Sequence, residues 1–444
     1  MKKTALWLFL ALNLLFVIGC WAWNHTHAVA GNMLTMSTDT LLQALGRLAG
    51  LLAAFTILVQ LLLIGRVSWI EQVFGLDRLS RTHHYTGILV AVFLLAHPTL
   101  LEMAHDAYGQ DTVFAQLMDF LKNYEDVAKA LIAAILFFTV VLFTSFIIRH
   151  KLRYETWHIA HLAAYIALAL AFGHQINWGD TAMNPVFYYY WIGLYVFVLG
   201  NLLLYRFVRP LWLFQRHHFV VERVEREASD VTSVYITGRN LQNFHAQSGQ
   251  FLIVQFWTPG FRTQAHPFSL SQPPDGKSLR LSIKGLGDFT KRIPELKPGT
   301  PVIVDGAHGI FTPRRATRKK ALLLAGGIGI TPIRSVAEDL ARAGHEVKVL
   351  HANRTLAQVV FAREWVELTQ KLPNLHVTYV FSDDPAAEGE HGFIDIDRIK
   401  HLVPDFLERD IYLCGPPPMM QLTVAFLKKA GGHSNQIYYE RFAL

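Results

Sequence analysis

The sequence predicts a six-helix transmembrane bundle, followed by an antiparallel β-barrel and then a doubly wound α/β domain. Three observations lead there. First, 52% of the 444 residues are hydrophobic and only 17% are charged, too apolar a balance for a soluble chain of this length. Second, the apolar residues up to about Arg209 form long unbroken blocks, whereas beyond it they form short runs broken by Gly, Pro and charge. Third, the segment after Arg318 reads as strand, glycine turn and helix in succession. The expected domains are 1–210 in the membrane, 215–316 as the barrel and 317–444 as the α/β domain.

Blocks long enough to cross a hydrocarbon core of about 30 Å run near Thr4–Trp23, Leu42–Ile64, Thr86–Met103, Val127–Ile148, Trp157–Ile176 and Val186–Tyr205. Lys2 and Lys3 precede the first block as in a signal peptide. The block is long and has no small-residue cleavage site before Asn24, so a retained helix is expected. Arg66, Arg78, Arg81, Arg149, Lys151, Arg153, Arg206 and Arg209 follow the even blocks, while Glu102, Asp106, Asp111, Asp119 and Asp180 follow the odd ones. Basic residues stay on the cytoplasmic side, which predicts a multi-pass protein of the inner (plasma) membrane with both termini in the cytoplasm. The same asymmetry accounts for the net charge of +7 without nucleic acid. Two cysteines, Cys20 and Cys414, are too few for a four-thiolate cluster within one chain.

Histidine inside a span is costly unless it is paired or functional. His83 and His97 lie on the third span, and His161 and His174 on the fifth. The fourteen residues from His83 to His97 cover about 21 Å of helix and return to nearly the same face, which puts one histidine near each membrane surface. The thirteen residues from His161 to His174 match in depth but not in face, so a bend or π-bulge near Gly173 is expected. His83 would then meet His161, and His97 would meet His174, each pair holding one b-type haem. Any one of these histidines alone reads as a helix cap or a backbone-bonded side chain; two matched pairs at equal depth favour ligation. His84 and His158 are the substitutes if the pairing is displaced by one position. Arg47, at the outer end of the second block, suits a haem propionate or snorkels to the headgroups. The acids between Glu102 and Asp126 could attract metal or a basic partner, but read first as a solvated loop.

This arrangement, with Tyr154-Glu155 ahead of His161, resembles the ferric reductase-like transmembrane domain shared by NADPH oxidases and iron reductases. Beyond His218, strands are expected at Phe219–Val224, Val231–Thr237, Gln250–Phe256, Leu279–Ile283 and Pro301–Val304. Turns at Pro259-Gly260, Pro273–Gly276 and Pro298-Gly299 separate them into a small antiparallel barrel. The segments His266-Pro267-Phe268-Ser269-Leu270-Ser271, Ile283–Thr290, Gly326-Gly327-Ile328-Gly329-Ile330-Thr331-Pro332 and Cys414–Met419, in this order, resemble the ferredoxin–NADP⁺ reductase superfamily in its oxidase and ferric reductase branch.

That resemblance implies FAD and a nicotinamide donor, NADPH or NADH. His266, Pro267, Phe268 and Ser269 would lie along the flavin, while Lys284, Gly287 and Thr290 would meet its pyrophosphate with charge and exposed amides. Gly326, Gly327, Gly329, Thr331 and Pro332 form a strand-to-helix turn suited to phosphate. Cys414, Gly415 and Pro416 would border the nicotinamide, with Cys414 as a packing group. Arg354 follows a strand where such domains meet the adenosine ribose, and either binds a 2′-phosphate or stays solvated. Phe442 would cover the flavin, although two residues follow it where such oxidases often end; the HPFS segment also lacks the arginine of many soluble relatives. The implied activity carries electrons from cytoplasmic NADPH through FAD and two haems to oxygen, forming superoxide, or to a ferric chelate. The alternative is a relay that donates to a periplasmic partner protein.

Overall fold

A computed structural model describes residues 3–28, 36–106, 112–124, 126–144 and 154–439. The chain forms two compact units, one of Met1–Val67 with Leu79–Leu203 and one of Ser68–Arg78 with Leu204–Leu444.

Among the described residues, the helices of seven residues or more up to Leu203 are, in chain order, α1 (Lys3–Ala28), α2 (Thr38–Ile64), α3 (Ser68–Phe74), α4 (Leu76–Asp106), α5 (Val113–Asn123), α6 (Val127–Thr144), α7 (Tyr154–Asn177) and α8 (Pro185–Leu203). Six helices among the described residues are long and apolar enough to cross a membrane, in the places the apolar blocks mark. Their outer surfaces stay apolar, since lipid is the solvent there. Inside, Phe187 and Trp191 of α8 are fully buried against Ala54, Phe55 and Leu58 of α2 and Ala167 and Leu168 of α7. Ala44, Gly46, Ala49, Ala53 and Ala54 form the buried stripe of α2, and such small residues let helix backbones approach closely. Gln175 Oε1 accepts from Trp191 Nε1 at 3.2 Å and from the Tyr195 hydroxyl at 2.7 Å, which ties α7 to α8.

The structure extends two elements beyond their apolar cores. The third span begins at Leu76, ten residues before the apolar block, so His83 is already helical. The acidic loop carries α5, and Asp126 at its end is buried, not solvated.

In the second unit, β1 (Val220–Ala228), β2 (Val231–Thr237), β3 (Phe251–Phe256), β4 (His266–Ser269), β5 (Leu279–Lys284) and β6 (Val302–His308) form two antiparallel sheets, ordered β1-β2-β5 and β4-β3-β6. Bridges Val220–Pro301 and Leu270–Leu281 join the sheets into a barrel filled by Phe219, Leu252, Val254, Phe256 and Leu281. The segment Ser68–Arg78 folds onto it. Leu76 packs with Phe251 and Ile253, and Glu71, 1% exposed, accepts the Gly309 amide at 2.7 Å. Burial pushes the Glu71 carboxyl up from its ordinary range.

The remaining strands, β7 (Lys320–Gly326), β8 (Glu346–Asn353), β9 (Leu375–Phe381), β10 (Glu390–His391), β11 (Asp410–Cys414) and β12 (Ile437–Tyr439), form one sheet ordered β10-β9-β8-β7-β11-β12. Every pairing in it is parallel. Residues Ala321 to Ala325 are wholly buried because helices cover both faces of such a sheet. Arg280 of β5, itself buried, pairs with Glu364 of the helix Ala362–Lys371 and clamps the barrel to this domain.

Candidate functional site

The four intramembrane histidines come together as two pairs. The His83 and His161 ring centres lie 5.9 Å apart at 64°, and those of His97 and His174 lie 6.2 Å apart at 58°. Both pairs join α4 to α7. Of the bend or π-bulge expected near Gly173, the π-bulge is not found: α7 is α-helical from Tyr154 to Asn177, and a π-helical turn lies at Leu204–Val208 instead.

These pairs fit a bis-imidazole metal. Two metal–nitrogen bonds of about 2 Å, with the reach of each ring added, put the ring centres about 6 Å apart. Nδ1 of His83, His161 and His174 is buried with no hydrogen-bond partner among the described residues. His97 Nδ1 instead faces the Gly46 carbonyl at 2.8 Å, a bond that fixes the ring and leaves Nε2 for a metal. A Cβ at Gly50 would stand 2.8 Å from His97 Nδ1, so α2 offers the ring a slot that only glycine leaves open. Trp157 stacks on His161 at 5.5 Å and 27°. Sequence reasoning missed Gly46, Gly50 and Trp157; the glycines one helical turn apart in an apolar block were the available signal.

Arg47 NH1 reaches Met183 Sδ at 3.8 Å, and its charge is felt at His97. His84 is exposed and meets Tyr85, while His158 meets Trp157. Neither joins the facing pairs. The side chains of Tyr154 and Glu155 lie outside the described residues. Among the described residues, no group of three or more His, Cys, Asp or Glu is placed to hold a metal ion.

In the barrel, His266, Pro267 and Phe268 are half-buried on β4, which pairs with β3, and Ser269 is buried. His266 Nε2 lies 3.0 Å from Gln264 Oε1, its ring centre is 4.0 Å from that of Phe289, and burial holds it below the ordinary histidine range. Lys284, at the end of β5, pairs with Asp230 at 3.3 Å. The Gly287 turn is tighter than an open phosphate cradle. Thr290 Oγ1 accepts from the Leu286 and Gly287 amides at 3.0 and 2.9 Å, so these two donors are engaged, not exposed as the sequence suggests.

At the carboxyl ends of β7 and β11 the parallel sheet reverses strand order, the crevice where doubly wound domains bind ligands. Glycine builds it. A Cβ on Gly326 would meet Met419 Sδ at 2.5 Å, and one on Gly415 would meet Gly326 Cα at 3.1 Å. Gly329 packs against the Cys414 carbonyl, and Gly327 adopts φ +52°, where only glycine is unstrained. Thr331 Oγ1 donates to the Ile328 carbonyl at 3.0 Å, and Thr331 and Pro332 start the helix Ile330–Arg342. Cys414 is 1% exposed and belongs to the core, while Pro416 is exposed. His351, unnoticed in the sequence, lies buried beside Gly327; burial pushes it down to about 3 and keeps it neutral. Arg354 is exposed after β8 and holds Asp383 at 2.7 Å. Phe442 lies outside the described residues.

Family models match three stretches: a ferric reductase like transmembrane component over residues 49–172, an FAD-binding domain over 217–297 and an oxidoreductase NAD-binding domain over 323–425. The glycine betaine monooxygenase reductase subunit of Chromohalobacter salexigens is 27% identical over 52% of this chain and 65% of its own. A flavohemoprotein of Rhodopirellula baltica is 31% identical over 50% of this chain and 60% of its own. The chain thus spans at most 65% of the length of these two curated relatives. Among solved structures, a ferredoxin reductase in carbazole 1,9a-dioxygenase is similar at 25% identity and a TM-score of 0.45, covering 50% of this chain and 68% of that one.

Proposed function

The chain has the architecture of the ferric reductase and NADPH oxidase family, a ferric reductase-like transmembrane domain fused to FAD- and NAD-binding domains, and from that premise we propose a transmembrane oxidoreductase. It takes electrons from cytoplasmic NADPH and delivers them to oxygen or a ferric chelate on the other side. When bound, FAD converts a two-electron donor into single-electron steps and two b-type haems carry them across the membrane.

The observation that carries this reading is the pair of facing imidazoles at each of two levels of one bundle. His83 with His161 and His97 with His174 would hold the two irons, and Gly46 would orient His97. With two histidines holding each iron, the acceptor would receive its electron without binding iron. Arg47 would meet a propionate. In the second unit, His266 to Ser269 would lie along the flavin, with Lys284 and the Gly287–Thr290 turn at its pyrophosphate and Phe442 over its ring. A phosphate at that turn would displace the Thr290 hydroxyl from the amides it now holds. Gly326 to Pro332 would take the nicotinamide's phosphates, Gly415 and Pro416 would border its ring beside the packed Cys414, and Arg354 would turn from Asp383 to a 2′-phosphate.

Cytochrome c reduction by the purified, FAD- and haem-loaded protein with NADPH tests the proposal. Superoxide dismutase should suppress it if oxygen is the acceptor, and ferric chelate should compete if iron is. Reduction at the same rate by protein lacking haem would overturn the proposed route.

A further inference from the structure

Asp126 precedes the first residue of α6, and its side chain is 7% exposed. Oδ1 accepts from Lys129 Nζ at 2.5 Å, and Oδ2 accepts from Asn177 Nδ2 at 2.8 Å. The carboxylate fills a notch in α7 left by a glycine: a Cβ on Gly173 would stand 2.8 Å from Oδ2 and 2.9 Å from Cγ. Gly173 and Asn177 are one helical turn apart, and His174 follows Gly173, so the charge rests on the turn that carries His174. Carboxylate and imidazole interact electrostatically.

A polar tie between two helices does not require a charge. An amide would join α6 to Asn177 as well, without the cost of withdrawing a carboxylate from water. Asp126 is nevertheless held ionised, its carboxyl kept below the usual range by bonds from Lys129 and then Asn177. The Lys129 side chain is 59% exposed against 7% for Asp126, so the ammonium is the less closely packed of the two charges and offsets the carboxylate only in part.

We propose that Asp126 is a positioning residue of charge, lowering the reduction potential of the group that His97 and His174 hold, with Lys129 as its partial counterweight. A buried negative charge favours the more positive oxidised state of nearby iron over the reduced one. A lowered potential on this carrier makes donation to a weak one-electron acceptor more favourable. The inference rests on the haem reading under Proposed function.

Spectroelectrochemical titration of the full-length, haem-loaded protein tests it, with haem content measured first. Asp126→Asn should raise one of two haem midpoints by enough to change the reduced-to-oxidised ratio at fixed potential about tenfold, or 59 mV for one electron, and leave the other in place. Gly173→Ala, which expels the carboxylate from its notch, should move the same midpoint upward. Lys129→Gln should move it downward, and this exposed site serves even if Asp126→Asn fails to assemble. The midpoint that moves should be the one missing from His97→Ala. Normal haem content with unmoved midpoints, or Lys129→Gln shifting in the same direction as Asp126→Asn, would overturn the inference. A wild-type chain that binds no haem overturns the proposed function instead, before any titration.

Discussion

An imidazole whose partner ring stands about 6 Å away, the separation of two rings on one metal, is a specific structural commitment, and removing either ring should be felt by only one site. His83→Ala and His161→Ala should each lose one haem of two and keep the other, and His97→Ala and His174→Ala should do the converse. Haem content per chain and the sharp bands of low-spin haem b in reduced protein check this; loss of both haems from every variant would mean that the pairs do not act separately. The pairing was legible in the sequence because depth follows from residue count along a helix. The slot for His97 was not, because it belongs to Gly50 and the Gly46 carbonyl on another helix. Arg354 illustrates the opposite limit: its place after β8 was readable, its ion pair with Asp383 was not. Arg354→Ala should reduce kcat/KM for NADPH about tenfold and leave NADH use unchanged, since a charge-assisted bond to phosphate contributes roughly 1.5 kcal/mol or more. Steady-state kinetics with both donors decide it.

Among elements, the segment Ser68–Arg78 shows why chain order is a poor guide to neighbours. It runs from the end of the second span into the first residues of the third, yet it folds onto a barrel whose first strand begins at Val220. One of its polar contacts is through Glu71, whose carboxyl is raised by burial. A raised acid binds its proton more tightly in the folded state, so its contribution to stability declines as pH rises from the ordinary carboxylate range through the raised value. Glu71→Gln should flatten that decline in melting temperature measured against pH, and an unchanged profile would show that Glu71 does not govern it. Arg280 is the clamp between barrel and α/β domain, buried to 2% and bound to Glu364 and the Ser271 carbonyl. Arg280→Ala should lower the thermal midpoint and cost less than the roughly 3–5 kcal/mol of breaking a fully buried pair, because Glu364 is 29% exposed and keeps its bond to Arg334. The barrel strands were readable from alternation and turns. β4 was recognised as a motif and not as a strand, because Pro267 interrupts the usual strand composition.

At the scale of the whole chain, six apolar helices, an antiparallel barrel and a parallel sheet follow one another, and each class of element leaves its own period in the sequence. The doubly wound sheet was legible down to the glycine turn at its strand-order reversal, since Gly326, Gly329 and Gly415 are the residues that close approach requires. The exchange of Ser68–Arg78 into the second unit was not, because nothing in a local pattern records a partner far along the chain. The central claim is that one chain passes electrons from nicotinamide to haem. The most direct test is anaerobic mixing of NADPH with the full-length protein carrying FAD and haem, followed at the flavin and haem absorption bands. Two low-spin haems per chain are expected, both reduced after the flavin without any added protein. Flavin reduction that leaves the haem ferric, or a haem content of one or none after haem-replete expression, would contradict it.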